Sequence, residues 1–162
     1  MYIDCRSGQM HLTTAYPPSG GFDERTPLVC LHADGGTGAD FSRPAALLGI
    51  DRSVYAPDLP GSGASDLRES RATLAGHAGA IADLIDQLRL KQVDFVGLGR
   101  GAAIAFQLAA DRPEVVRRLV VAAEPDMATS KAVLHLDAGT AALEAAAVEA
   151  VVESMRAFLD RA

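Results

Sequence analysis

The residues best placed to do chemistry stand where two short apolar runs stop. Leu28-Val29-Cys30-Leu31 runs into His32-Ala33-Asp34-Gly35-Gly36-Thr37-Gly38, and Val93-Asp94-Phe95-Val96 runs into Gly97-Leu98-Gly99-Arg100-Gly101. A strand that ends in a glycine-rich turn and passes into a helix brings backbone N–H groups to the helix N-terminus, where they hold anions and polarised carbonyl oxygens. His32 stands at a strand's carboxyl end, where an imidazole can orient a substrate. Gly97-Leu98-Gly99-Arg100-Gly101-Ala102 also satisfies Gly-x-Gly-x-x-Ala, the phosphate-binding turn of dinucleotide sites, with Glu124 near where a ribose-binding acid is expected. That turn usually follows the first strand of its unit, whereas this one follows several.

Other candidates carry less chemistry. His77 falls on an apolar helix face between Leu74 and Ile81, the setting of a packed, hydrogen-bonded core histidine. His135 lies within an apolar strand and is read as structural. Cys5 and Cys30 are too few and too far apart for a zinc site of the paired-cysteine kind, and they are read as reduced core thiols. No metal is implied.

The turns need elements to hold them. Residues 2–6 and 10–16 flank Ser7-Gly8 and predict a hairpin, and 17–25 is a loop rich in Pro and Gly. The run 28–31 predicts a buried parallel strand, followed by a helix over 39–48. Residues 53–56 predict a strand closed by Pro57-Asp58-Leu59-Pro60-Gly61-Ser62-Gly63, where breakers forbid regular structure. Leu74, Ile81, Leu84, Ile85 and Leu88 recur at helical spacing over 73–90. Strand 93–96, helix 102–110, strand 119–122 and strand 133–136 follow. A closing helix is marked by Leu143, Ala147, Val148, Val151, Val152, Met155, Phe158 and Leu159. Alternating strands and helices imply a mostly parallel sheet with helices on both faces.

The 162 residues fit one domain, and 49% hydrophobic with 22% charged residues is ordinary globular composition. A net charge of −6 with scattered basic residues excludes a nucleic-acid partner, which needs clustered Lys and Arg. Arg117-Arg118, beside Glu114, is read as a solvated helix-to-strand junction. No stretch approaches the roughly 20 apolar residues of a membrane span, and Met1-Tyr2-Ile3-Asp4 does not begin a leader. The expectation is a cytoplasmic protein without a membrane partner.

Three stretches in order, Leu31-His32-Ala33-Asp34-Gly35-Gly36, Pro57-Asp58-Leu59-Pro60-Gly61-Ser62-Gly63-Ala64-Ser65-Asp66 and Gly97-Leu98-Gly99-Arg100-Gly101, together resemble the α/β-hydrolase family. The first resembles its His-Gly oxyanion loop, the second its Asp-x-x-Gly-x-Gly-x-Ser loop, and the third its nucleophile elbow. Residues 111–121 resemble the helix end and strand that follow the elbow. The resemblance maps the oxyanion-hole N–H groups onto Asp34 and Arg100, and it gives His32 chiefly the task of holding its loop. Asp58, Ser62, Ser65 and Asp66 are read as good turn formers within that pattern.

The resemblance also implies losses. The serine of Gly-x-Ser-x-Gly would stand at Gly99, so there is no hydroxyl to attack with. The family's histidine would stand after Gly139, where the residue is Thr140. A cap region and one strand are missing between Pro125 and Val133, and Glu124 or Asp126 would be a surviving acid. The expected fold is a reduced α/β-hydrolase fold over residues 1–162, mostly parallel, with an N-terminal antiparallel hairpin and no cap domain. The expected function is that of a homologue without serine-hydrolase activity, binding a small carbonyl or carboxylate ligand, or a partner, around His32, Asp34, Gly99 and Arg100. No cofactor is implied. The alternatives are hydrolysis of esters or lactones by a non-standard group, such as a water positioned by Glu124 or Asp126, and a nucleotide-binding α/β domain. An uncovered sheet edge predicts a homo-oligomer.

Overall fold

Apolar runs without alternation make strands only where both faces of a sheet are covered, and these runs lie in such a sheet. The computed structural model describes residues 1–5, 8–20, 25–66, 73–122, 132–136 and 148–161. The strands are β1 (Tyr2–Cys5), β2 (Gly8–Ala15), β3 (Leu28–Leu31), β4 (Val54–Pro57), β5 (Val93–Leu98), β6 (Val116–Ala122) and β7 (Ala132–His135). They form one sheet in the order β1-β2-β4-β3-β5-β6-β7. The pairs β1–β2 and β2–β4 are antiparallel, and every pair from β4 to β7 is parallel. The expected hairpin, mostly parallel sheet and helical layers are therefore all present.

Side-chain alternation divides the core into two layers. Val29, Leu31, Phe95, Leu119 and Val121 face α2 (Leu74–Gln87) and α3 (Arg100–Asp111). Leu28, Cys30, Val96, Leu98, Val120 and Ala122 face α1 (Ser42–Leu48) and α4 (Val148–Leu159). The apolar stripe of α4 is buried at Val148, Val151, Val152, Met155, Phe158 and Leu159. Leu143 and Ala147, expected on the same face, lie outside the described residues.

Three local features differ from expectation. The helix expected over 39–48 is a 3-10 turn, Gly38–Phe41, followed by α1. Pro44 has no N–H to give, and as the third residue of α1 it sits in the first turn, where no intrahelical acceptor awaits one. The second difference is that β6 begins at Val116, which pairs with Val93, so Arg117 and Arg118 lie inside a strand and are not a solvated junction. Arg117 forks onto both oxygens of the wholly buried Asp94 at 2.8 and 2.5 Å. Burial pushes the Asp94 carboxyl up from its ordinary value, opposed by Arg117 and by the charges of Arg52 and Arg118. Third, α2 stops at Gln87, and beyond its cap Leu88 stands Arg89 at φ 55°, a left-handed residue that lets the Leu90 N–H reach the Ile85 carbonyl at 3.0 Å.

Candidate functional site

The strand ends β3, β4 and β5 deliver three loops to the carboxyl edge of the sheet, and His32 joins two of them. Its ring is buried, with Nδ1 donating to the Ala33 carbonyl at 2.7 Å and Nε2 accepting the Leu59 N–H at 2.9 Å. Those partners fix the Nδ1–H tautomer, since a carbonyl can only accept and an amide N–H can only donate. Both nitrogens of His32 are therefore committed to backbone.

The loop after β4 is organised on Asp58. Its carboxylate accepts N–H bonds from Gly38 at 2.7 Å and Ala64 at 2.9 Å, and lies 3.1 Å from His11 Nδ1 on β2. Burial pushes this carboxyl up, but the Ala64, Gly38 and His11 hydrogen bonds outweigh it and hold Asp58 below the usual carboxylate value. Ser65 Oγ donates to the Asp58 carbonyl at 2.7 Å and accepts the His11 N–H at 2.9 Å. Asp66 exchanges two backbone-directed bonds with Gln9. These residues are the turn formers expected from the sequence, and they also sew the loop to β2.

The turn between β5 and α3 has three glycines with different reasons to be there. A Cβ on Gly97 would stand 2.6 Å from the Ala102 backbone, and one on Gly101 would stand 2.1 Å from the Leu31 carbonyl oxygen. Close approach of α3 to the sheet therefore requires both. Gly99 has φ 50° and ψ −116°, a backbone that other residues adopt only under strain. Among the described residues a Cβ there would meet only Ala33, its Cβ at 3.3 Å and its Cα at 3.7 Å. The sharp strand-to-helix elbow is intact, and it presents no side chain.

Above these loops lies a cavity of about 180 Å³ lined by His32, Asp34, Leu59, Ser62, His77 and Arg100 among others. Arg100 Nε is 2.9 Å from Asp34 Oδ1 at its rim. Arg100 is the first residue of α3, so its N–H has no acceptor within the helix. The sequence expectation brought together His32, Asp34, Gly99 and Arg100. Three of them line the cavity, while Gly99 abuts Ala33 without lining it. Glu124, Asp126 and Thr140 lie outside the described residues.

Two lining residues were read from sequence only as structure. His77 is buried as expected, with Nδ1 at 2.9 Å from the Thr73 carbonyl and Nε2 at 3.2 Å from the Pro60 carbonyl. A neutral ring can donate to only one of these oxygens at a time. Ser62, read as a turn former, contributes to the cavity wall. Helical periodicity shows that position 77 is buried, but not that the loop carrying Pro60 closes over it. His135 ends β7 on the sheet edge, exposed, in register with Val121.

Among the described residues no group of three or more His, Cys, Asp or Glu could hold a metal ion. Among them, too, no helix is long and apolar enough to cross a membrane. The dinucleotide reading finds little room, because Gly97 and Gly101 are used in packing and the cavity is smaller than the roughly 300–1,000 Å³ of typical ligand pockets.

Comparison with known proteins gives a consistent picture. The family model described as alpha/beta hydrolase fold matches residues 26–157. A 2-hydroxymuconate semialdehyde hydrolase of Pseudomonas sp. (strain CF600) is 35% identical over 102 residues, 59% of this chain and 35% of that protein. The structure of an epoxide hydrolase from Vigna radiata superposes with a TM-score of 0.70 at 25% identity, covering 78% of this chain and 40% of that one. A serine-to-glycine mutant of the N-acyl homoserine lactonase AidH, complexed with N-hexanoyl homoserine lactone, superposes with a TM-score of 0.67 at 25% identity, covering 77% and 45%. The chain thus spans less than half the length of each of these relatives.

Proposed function

The chain belongs to the alpha/beta hydrolase fold family, and from that premise we propose that it binds a small carboxylate or carbonyl compound at the carboxyl edge of the sheet without hydrolysing it through a serine. Gly99 carries this reading. The elbow that would present a nucleophile keeps its strained backbone and has no side chain to present. The parts of the site that bind rather than react are the Arg100 guanidinium, the Arg100 amide at the N-terminus of α3, which has no acceptor within the helix, and the His32 staple that fixes the neighbouring loop.

Arg100 is the anchor in this reading. A ligand carboxylate takes the place of the Asp34 side chain on the Arg100 fork, while the backbone N–H groups of Asp34 and Arg100 receive a carbonyl or carboxylate oxygen. The cavity of about 180 Å³ limits the ligand to a short acyl chain. The lactonase mutant complexed with its lactone supports reading this fold as able to hold a ligand with a serine replaced by glycine.

The test is an amide NMR titration with acetate, propionate and butyrate. Saturable shifts at Gly35, Gly61 and Arg100 that disappear in Arg100→Gln are the expected result. Carboxylates that leave these amides unmoved, or that bind Arg100→Gln as they bind the parent, would sink the reading.

A further inference from the structure

The opposite, N-terminal edge of the parallel strands carries a second concentration of charge that the carboxyl-edge site does not use. Arg25 and Thr26 precede β3, Arg89 and Lys91 precede β5, Arg117 lies at the start of β6, and Asp160 follows α4. Two concavities open here and share Arg25 and Thr26. One of about 300 Å³ is bounded also by Arg117, Leu159 and Asp160, and one of about 410 Å³ by Pro27, Arg89, Leu90 and Lys91 among others.

Among the described residues, arginines outnumber carboxylates at this edge. Arg25, Arg52, Arg117 and Arg156 are answered by three carboxylates, those of Asp51, Asp94 and Asp160. Asp160 is divided, with Oδ1 at 2.5 Å from Arg52 Nη2 and Oδ2 at 2.6 Å from Arg25 Nη1. Asp51 is shared among Arg25, Arg52 and Arg156. Arg52 is wholly buried, yet its Nη1 has no acceptor among the described residues. A buried donor without a partner is rare and marks a shortage of acceptors around it. Arg89 and Lys91 are exposed and form no ion pair among the described residues.

We propose that this edge is a binding site for a phosphate monoester. Its dianionic head sits between Arg25 and Arg117, with the Thr26 hydroxyl alongside, and its organic part lies over Pro27 and Leu90, flanked by Arg89 and Lys91. Arg25 uses Nε and Nη1 on protein carboxylates, and Arg117 uses Nε and Nη2, which leaves Arg25 Nη2 and Arg117 Nη1 without a protein partner among the described residues. Two guanidinium donors and a hydroxyl match the three acceptor oxygens of a phosphate head, where a carboxylate has only two. The chain's net charge of −6 makes a local cationic cleft the natural entry point for an anion. This inference does not depend on the carboxyl-edge reading.

The test is an amide NMR titration of the full chain with butyl phosphate, inorganic phosphate and butyrate. Saturable shifts at Thr26, Gln92 and Asp160 with both phosphates, stronger than with butyrate, are expected. Arg25→Gln weakens both phosphates about tenfold, the loss of one charged hydrogen bond. The exposed pair Arg89→Gln with Lys91→Gln leaves the fold undisturbed and weakens butyl phosphate more than inorganic phosphate. Arg100→Gln, at the other end of the strands, leaves both affinities unchanged. The proposal is overturned by an absence of saturable shifts at this edge, by parent-like binding in Arg25→Gln and the double variant, or by phosphate shifts that vanish in Arg100→Gln.

Discussion

Arg100 Nε lies 2.9 Å from Asp34 Oδ1, and the pair joins the loop after β3 to the start of α3 across the rim of the cavity. Asp34 is 76% exposed and Arg100 40% exposed, so the contact is a surface ion pair. Such pairs contribute about 0–1 kcal/mol, little enough for an incoming carboxylate to replace Asp34.

The two partners therefore respond to mutation with opposite sign. Asp34→Asn removes the internal competitor for Arg100 and is expected to tighten carboxylate binding by up to about fivefold, the equivalent of at most ~1 kcal/mol for the pair. Arg100→Gln is expected to abolish it. Calorimetric titration of butyrate into both variants measures this, and a loss of affinity in Asp34→Asn would show that Asp34 holds the ligand rather than competing with it.

Two of the elbow glycines, Gly99 and Gly101, predict unequal losses in urea unfolding. Gly99→Ser places a side chain against Ala33 and is expected to fold with a loss of about 1–3 kcal/mol from backbone strain. Gly101→Ala drives a methyl into the Leu31 carbonyl, a rigid backbone atom, and is expected to lose more. Equal stability of the two variants would mean that α3 can move away from the sheet, contrary to this packing.

Much of this architecture is legible in the sequence because local patterns decide it. The run at 28–31 and, Asp94 apart, the run at 93–98 carry apolar residues or glycine on both faces, which is what burial between two helical layers demands. The glycine at 99 announces its left-handed turn. What stayed hidden depends on long-range partners. Asp94 inside an apolar run makes sense only once Arg117, 23 positions later, is seen to reach it, and that same contact draws the charged Arg117-Arg118 pair into β6. The burial of His77 follows from its helix face, whereas its place in the cavity wall depends on how the loop at Pro60 packs.

Acid stability should report Asp58. Its folded-state carboxyl lies below the ordinary value, so the stability it contributes is complete above the unfolded carboxylate range and is lost as pH falls through its lowered folded value. Asp58→Asn retains one acceptor and turns an amide toward backbone N–H groups, for a cost of about 1–3 kcal/mol near neutral pH. Urea midpoints measured between neutral pH and the acid limit are expected to fall less steeply in Asp58→Asn than in the parent. Parallel curves would remove Asp58 as the source.

Arg117 and Asp94 test the lower edge of the sheet. Removing Arg117 leaves a wholly buried carboxylate without its fork, so Arg117→Met is expected to cost about 3–5 kcal/mol. Arg117→Met combined with Asp94→Leu removes both charges and is expected to recover most of that loss. A single variant as stable as the parent would contradict the burial of Asp94.

The most direct measurement is turnover of a panel of activated short-chain esters and lactones by the purified chain. No turnover above the uncatalysed rate is expected, since no hydroxyl stands at Gly99. Turnover that survives repurification and is lost in Glu124→Gln would contradict it, and would establish hydrolysis through a water held by that acid in place of binding alone.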